Sequence, residues 1–520
     1  MRKALLMLAL IPVCRAQPIS GERIRAHVKF LSGDLLEGRG VAMRGGELAT
    51  EYIATQFALA GARPAGEAGT YFQKVPLVGV QTAPESTLSA HAGSGKDLSF
   101  RWLEEFVGVN RRQKASEAFD AEVIFAGHGI VAPEFKWDDY KGVDVKGRIL
   151  ALFTNEPASS DPKFFAGRAL TYYGRWSYKY EEALRHGALG VIIIHTTPTA
   201  GYGWEVVRNS WGREEPFVKL GSGESELALA GWITRDAGGK LLSMAGKSVD
   251  ELLKASESRD FKPIPLGIRI RGAIHSRIRP MDTRNVAAIV PGSDPQAAGE
   301  TVIFSAHWDH LGIGAPVNND AIYNGAVDNA TGCGILLELA RAWAALPRKP
   351  RRSALFLAVT AEEGGLRGSE YYAQHPLVPP GKTVVALNYD ALQPVGRTTG
   401  VVVTGAERTT LWPLVQNTAR RFRLIIKPDP RPEQGSYYRS DHFSFARAGI
   451  PSFTIAESNE FAGKPENYGA QVFKEYNEKR YHQPSDEYKD DWDFSGLEEM
   501  AKFGLALGTE AANMPGMATW

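Results

Sequence analysis

Cysteine is scarce in this 520-residue sequence, which contains two such residues, Cys14 and Cys333. Cys14 falls within a predicted leader that would be removed, so the mature chain would keep one cysteine and could form no intrachain disulfide. Such a chain must be stabilised by burial of its core rather than by covalent links. Cys333 lies between two glycines on a predicted helix, which favours a small buried packing residue over a nucleophile.

A charge excess of either sign is also missing, since 60 basic residues face 59 acidic ones. Nucleic-acid-binding proteins normally carry a basic excess or a basic stripe, so the composition argues against a nucleic-acid partner. After the first 13 residues, no apolar run is long enough to form a transmembrane helix. We therefore expect a mature chain without a transmembrane segment.

The first 16 residues are predicted to be a signal peptide. Two basic residues precede an apolar run over residues 4–13, which is too short to span a bilayer. Ala16 supplies a small residue at the cleavage point, and the mature chain would begin at Gln17. We expect export to the periplasm or the exterior. A lipoprotein anchor at Cys14 is the alternative, which the preceding proline and valine disfavour because such sites need small residues there.

The length allows two or three domains. From residue 284 onward, strand-like runs alternate with helical patterns, which indicates an α/β fold with a largely parallel mixed sheet flanked by helices. Helical patterns over residues 21–30 and 47–60 are expected to pack on the same sheet, which would make the main domain discontinuous. The predicted division is a first part over residues 17–109, a small β-rich insert over 110–270 and a second part over 271–520.

The insert shows short strands and turns, without a cluster of metal-type ligands or a nucleophile arrangement. Residues 190–194 are a continuous apolar run of the kind found in buried strands. Residues 201–217 are rich in glycine, tryptophan and arginine, and we predict a long exposed loop there.

Candidate ligands follow three predicted strands of the main domain. His307 and Asp309 come directly after one apolar run, Glu362 and Glu363 after the next, and Asp390 after a third. Open α/β sheets place their sites just past the carboxyl ends of strands. A single pair of such residues would be weak evidence, but three strand ends of this kind together predict a metal site.

Two divalent metals about 3.5–4 Å apart need a carboxylate that bridges them. Asp328 suits this role, because it lies in a loop ahead of a predicted helix. The adjacent Glu362 and Glu363 cannot both bind one metal comfortably. One of them can bind a metal while its neighbour acts as a general base on the attacking water.

The motifs around these residues are SAHWDH at 305–310, GAVDNATG at 325–332, AEEGGLRGS at 361–369, NYD at 388–390 and YHQPSD at 481–486. Together they resemble the exported di-zinc aminopeptidases, the family that also contains glutamate carboxypeptidase II. The resemblance is strong over residues 285–512 and weaker over 20–80. The insert separately resembles a protease-associated domain through residues 140–149 and 183–194.

This resemblance implies a role for each ligand. His307 and Asp390 would bind one zinc ion, Glu363 and His482 would bind the other, and Asp328 would bridge both.

Three further residues complete the implied site. Glu362 would be the general base, and Asp309 would orient the imidazole of His307. Tyr481 would stabilise the tetrahedral oxyanion through its hydroxyl. The sequence departs from the family in the long gap between Asp309 and Asp328, which we interpret as a loop insertion; Asp320 within that gap is the weaker candidate for the bridge.

The leading functional hypothesis is a zinc-dependent aminopeptidase acting on peptides. A glutamate-carboxypeptidase-like enzyme is the nearest alternative; it would need a cationic pocket, for which Arg439 and Arg447 are candidates. A one-zinc glutaminyl cyclase is disfavoured by the dinuclear ligand set and by the Tyr481-His482 pair. A non-catalytic receptor-like module is disfavoured because none of the predicted ligands is missing.

Overall fold

The computed structural model describes residues 19–93, 95 and 97–520. The predicted signal peptide lies outside these residues. The helices of eight or more residues in this part are Gly21–Leu31, Arg44–Leu59, Trp176–Arg185, Trp204–Trp211, Arg235–Ser243, Val249–Ser256, Thr331–Ala344, Arg367–Gln374, Trp412–Phe422, Tyr468–Lys479 and Ser495–Asn513. Within the described residues, no helix has both the length and the apolar character needed to cross a membrane.

The main sheet carries the predicted ligands. Its strands, in spatial order, are Ser452–Thr454, Thr383–Asn388, Thr301–His307, Ser353–Val359 and the second half of Ile264–Val290. The first four run parallel, and Ile264–Val290 is antiparallel to its neighbour. The predicted fold class, a largely parallel mixed sheet flanked by helices, is confirmed.

Alternating side chains of the main sheet bury against different helices, which explains the continuous apolar runs in its strands. Phe304 and Phe356 stack with their ring centroids 5.5 Å apart, in the core cluster that also holds the helices Thr331–Ala344 and Ser495–Asn513. Ile303, one residue away, instead joins the cluster on the opposite face. Both faces of the sheet are therefore covered by other elements. The carboxyl ends of its strands are left uncovered by these two clusters.

A second sheet is built mostly from residues 87–275. It pairs the first half of Ile264–Val290 with Thr87–His91 and Ser116–Phe125, and continues through Ile149–Leu152, Gly190–Ile194, Leu229–Ile233 and Phe106–Val109. Ser116–Phe125, Ile149–Leu152, Gly190–Ile194 and Leu229–Ile233 run parallel to one another. The strand Ile264–Val290, 27 residues long, thus belongs to both sheets.

The predicted exposed loop over residues 201–217 is wrong. The segment forms the helix Trp204–Trp211 and the strand Glu215–Val218, which pairs antiparallel with Phe72–Thr82. Val207 and Trp211 stand four residues apart and are both buried, so this short helix has an apolar face. The abundance of glycine and arginine in the segment concealed that spacing.

The long gap between Asp309 and Asp328 is a β-hairpin of Gly312–Val317 and Asp320–Tyr323. Asn318 and Asn319 form its turn with φ of 52° and 69°, a backbone that asparagine tolerates well in two-residue hairpin turns. The carboxylate of Asp320 accepts the backbone N–H of Ile322 at 3.0 Å. Asp320 therefore serves the hairpin turn.

Candidate active site

The metal-type residues predicted from different strand ends lie together. His307, Asp328 and Glu363 each offer one possible ligand atom, and these atoms all lie within 4.8 Å of one another. His307 ends a strand of the main sheet, and Glu363 follows the neighbouring strand. Asp328 comes from the loop ahead of the helix Thr331–Ala344. The parallel pairing of the two strands brings residues 56 positions apart to one edge.

The carboxylate of Asp328 lies between two imidazoles. Its Oδ1 is 3.3 Å from His307 Nε2, and its Oδ2 is 3.4 Å from His482 Nε2. Each carboxylate oxygen thus faces a different ring nitrogen. This arrangement suits a carboxylate that two cations share.

A second carboxylate accompanies each imidazole. Asp390 Oδ1 lies 3.3 Å from His307 Nε2, and Glu363 Oε2 lies 3.0 Å from His482 Nε2. The site therefore consists of two histidine–carboxylate pairs with Asp328 between them. All five residues predicted as metal ligands meet in this arrangement.

Hydrogen bonds hold the carboxylate oxygens of Glu363 and Asp390 that face away from the two imidazoles. His310 Nδ1 lies 2.6 Å from Glu363 Oε1. The Ser440 hydroxyl donates to Asp390 Oδ2 at 2.5 Å and in turn accepts a hydrogen bond from Asn388 at 2.8 Å. Sequence reasoning did not assign Ser440 to the site, because a serine some 50 residues downstream carries no ligand signal of its own.

Asp309 has contacts that differ from the predicted ones. Its carboxylate is 3.8 Å from His307 Nδ1, which lies closer, at 3.2 Å, to the backbone oxygen of Asp309. The carboxylate accepts the backbone N–H groups of Glu362 at 3.1 Å and Glu363 at 3.4 Å. It therefore braces the turn that carries both glutamates, and burial raises its pKa to about 6.

The electrostatic environment favours a cation. Burial acts to lower the pKa of His307, but Asp390 and Glu362 outweigh it and raise that pKa well above its usual value. Burial is likewise outweighed at His482, where Glu363 contributes most to raising the pKa. Imidazole nitrogens and carboxylate oxygens are typical zinc ligands. This donor set, with its excess of negative charge, fits divalent zinc.

Glu362 and Tyr481 flank the ligand cluster. Burial, partly opposed by the charge of His307, raises the pKa of Glu362 well above its usual value. The ring of Tyr481 stacks on that of His482, with centroids 3.9 Å apart and an interplanar angle of 25°. Both residues are half-buried, so part of their surface remains accessible to solvent.

Two arginines that lie outside the strands, Arg175 and Arg439, both interact electrostatically with Tyr481. Burial, with a smaller contribution from the positive charge of Arg439, lowers the pKa of Arg175 to about 10. At Arg439, burial is outweighed by the nearby hydroxyls of Tyr481 and Tyr202, and the pKa is raised. The Nε of Arg175 is buried without a hydrogen-bond partner among the described residues. Arg447 is instead exposed and lies 3.2 Å from Glu181.

The strand Glu215–Val218 packs against the turn that follows Glu363. A Cβ added at Gly364 would lie 2.2 Å from Pro216 Cγ, so this position requires glycine. Arg367 Nε donates to the backbone oxygen of Pro216 at 3.2 Å. The part of the chain predicted as an insert thus contacts the turn carrying Glu362 directly.

This sheet topology and this arrangement of possible ligands fit the class predicted from the sequence, a metallo-exopeptidase. Residues 285–507, somewhat less than half of the chain, match the model of Peptidase family M28.

Two curated relatives match over parts of their length. Aminopeptidase NAALADL1 of Rattus norvegicus is 24% identical over 317 residues, which is 52% of this chain and 38% of that protein. Leupeptin-inactivating enzyme 1 of Streptomyces exfoliatus is 28% identical over 189 residues, 36% of this chain and 39% of that protein. The matched regions span less than half the length of these relatives.

One solved structure is similar over nearly the whole chain. The aminopeptidase from Aneurinibacillus sp. strain AM-1 has a TM-score of 0.55 and 20% identity, and the match covers 97% of both chains. At this identity the similarity supports the fold.

Proposed function

We propose that the protein is an aminopeptidase that uses two zinc ions to release N-terminal residues from peptides. The observation that carries the proposal is the carboxylate of Asp328, whose two oxygens face His307 at 3.3 Å and His482 at 3.4 Å. The M28 match over residues 285–507 and the aminopeptidase among the relatives support the same reaction class.

The two histidine–carboxylate pairs would hold the ions. His307 and Asp390 would bind one, His482 and Glu363 would bind the other, and Asp328 would bind both. When bound, zinc polarises the scissile carbonyl and makes water a better nucleophile at neutral pH.

Glu362 and Tyr481 perform the remaining chemistry in this proposal. Glu362 accepts the proton of the attacking water and passes it to the leaving amine, which suits a carboxylate whose pKa burial raises. The Tyr481 hydroxyl donates a hydrogen bond to the oxygen that becomes negative in the tetrahedral intermediate. Asp309 keeps Glu362 in place through the backbone of the turn.

The proposal is tested with purified protein, metal analysis and paired substrates. We expect close to two equivalents of zinc, and cleavage of aminoacyl anilides that is lost when the α-amine is acetylated. Equal cleavage of free and acetylated substrates would contradict an aminopeptidase. One equivalent of zinc would favour the cyclase alternative, and inactive protein with a full zinc content would favour the receptor-like one.

A glutamate-carboxypeptidase-like activity is the second candidate, because Arg175 and Arg439 place positive charge beside the Tyr481 hydroxyl. Two half-buried cations without an ion pair to a described carboxylate suit a substrate carboxylate. N-acetylated acidic dipeptides test this candidate. We expect Arg175→Gln to reduce their cleavage far more than that of aminoacyl anilides, and Arg168→Gln, an exposed arginine of the same segment, to change neither.

Export and the insert also belong to the proposal. The signal-peptide pattern supports secretion with cleavage after Ala16. The resemblance of residues 140–149 and 183–194 to a protease-associated domain supports an insert over about residues 110–270. Mass spectrometry of the exported protein would identify the mature N-terminus, and a start other than Gln17 would contradict the predicted cleavage.

A further inference from the structure

The bridging residue Asp328 stands on a short loop, residues 324–328, whose backbone is held by two charged side chains outside the ligand set. The guanidinium of Arg39 donates hydrogen bonds to backbone carbonyl oxygens of the loop. The carboxylate of Asp486 accepts hydrogen bonds from backbone N–H groups of the loop. These two side chains come from opposite ends of the chain.

Arg39 holds the carbonyl side. Its Nη1 donates to the backbone oxygen of Asn324 at 2.6 Å, and its Nη2 donates to that of Gly325 at 2.8 Å. Its Nε donates to the backbone oxygen of Trp308 at 2.8 Å, between His307 and Asp309. One guanidinium therefore ties the loop to the strand end that carries His307.

The geometry requires arginine in particular. Its planar group offers five N–H donors in a fixed fork, whereas a lysine ammonium offers three from a single point. Arg39 is 1% exposed and forms no ion pair with a carboxylate among the described residues. Its backbone adopts φ of 50°, a region that non-glycine residues seldom occupy. Burying a cation that has no ion-pair partner, in such a backbone, is costly, so a specific role must offset it.

Asp486 holds the amide side. Its Oδ2 accepts the N–H groups of Val327 and Asp328, both at 3.1 Å. Its backbone oxygen accepts the N–H of Ala326 at 2.8 Å. Asp486 is fully buried and follows His482 by four residues. The carboxylate therefore links the loop to the segment that carries the second imidazole.

We propose that Arg39 and Asp486 are positioning residues that hold the Asp328 carboxylate between the two imidazoles, and that they set the affinity of the site for zinc. The inference rests on the proposed function in one respect, that zinc is the ion bound. Arg39 fixes Asp328 relative to His307, and Asp486 fixes it relative to His482. Loss of either contact leaves the carboxylate free to turn away from one ligand pair.

Zinc affinity separates this role from a merely structural one. The chelator-treated variants Arg39→Lys and Asp486→Asn would be titrated with zinc chloride against a chromogenic chelator. We expect the free-zinc midpoint to rise about 10- to 100-fold in each, the usual effect of losing a residue that orients a metal ligand. Turnover of an aminoacyl anilide should return when zinc is raised to match.

Two exposed residues provide matched controls. Arg44 belongs to the same N-terminal segment and pairs with Glu37 at 2.8 Å, while Asp490 pairs with Lys29 at 3.1 Å. Arg44→Lys and Asp490→Asn should leave the zinc midpoint unchanged. Circular dichroism and thermal unfolding with chelator present would show whether each variant folds.

Each outcome decides the proposal. Zinc midpoints within about twofold of the wild type in both folded variants would overturn it while leaving the aminopeptidase proposal intact. Failure of both variants to fold, with both controls folded, would assign the two residues to the fold alone and also overturn it. If one variant does not fold, the midpoint of the other decides. A wild-type protein that binds no zinc would overturn both this inference and the proposed function.

Discussion

The two sheets share a parallel arrangement of strands but differ in the residues at the carboxyl ends of those strands. In the main sheet, the strand ends lead to imidazoles and carboxylates that face one another, as His307 faces Asp390 at 3.3 Å. In the second sheet, the corresponding polar groups have backbone partners: Glu156 accepts the N–H of Thr171 at 2.8 Å, and Thr234 caps a helix. Topology thus supplies an edge, and the residues placed there decide whether it can bind a metal.

The largest expected effect tests this contrast directly. Glu362→Gln should retain zinc but lose about 10²–10⁴-fold in kcat, because an amide cannot accept the proton of water. Glu156 follows a strand of the second sheet and is the counterpart of Glu362 there. Glu156→Gln should leave kcat within about twofold of the wild-type value. Both would be measured with an aminoacyl anilide. Near-wild-type kcat in the Glu362→Gln variant would remove Glu362 from the role of base.

An intermediate effect concerns the hydroxyl groups at the rim. Tyr481→Phe should lower kcat about 10²–10³-fold, the usual cost of losing one oxyanion donor, with little change in zinc content. Tyr202→Phe removes a neighbouring hydroxyl from the part of the chain predicted to be an insert, and it should cost much less. If the two variants lose equal activity, the predicted insert also takes part in the chemistry. The claim that only residues at the main sheet do so would then be wrong.

The smallest effect is confined to the second sheet's domain and concerns stability. Burial lowers the pKa of Lys179 from 10.5 to about 7, although Asp139 and Glu156 oppose it. Between these values the unfolded chain binds a proton that the folded chain has released. Stability should therefore rise as the pH increases from about 7 to about 10, by at most about 1.4 kcal/mol per pH unit.

Urea unfolding at several pH values would measure this slope. Lys179→Met should flatten it, and Lys146→Met, at an exposed position, should keep it. The same slope in wild type and Lys179→Met would show that Lys179 remains charged in the folded protein.

Three of the residues predicted as ligands could be placed from the sequence, because each follows an apolar run that is typical of a buried strand. This pattern, together with the rule that sites lie just past the carboxyl ends of parallel strands, was enough to select His307, Glu363 and Asp390. The helix Trp204–Trp211 was missed because its composition is typical of loops. Its two buried residues, Val207 and Trp211, pack in a core cluster with residues of the second sheet, which the local sequence does not show.

The residues around the ligands were harder to predict because their roles depend on long-range contacts. Arg39 donates to Trp308, 269 positions away, and nothing local indicates that its side chain is buried. Asp309 was predicted to orient His307, yet its carboxylate accepts hydrogen bonds from the turn that carries Glu362 and Glu363. Such assignments require the distance between atoms, which spacing along the chain does not supply.

The strand Ile264–Val290 runs without interruption from one sheet into the other. Phe72–Thr82 pairs with it over eleven consecutive positions and stiffens the crossing point. A rotation of one sheet against the other would have to break these ladder hydrogen bonds, so we expect the relative orientation of the two sheets to be fixed once the chain has folded. Cleavage of the chain within this strand would therefore disrupt both sheets at once.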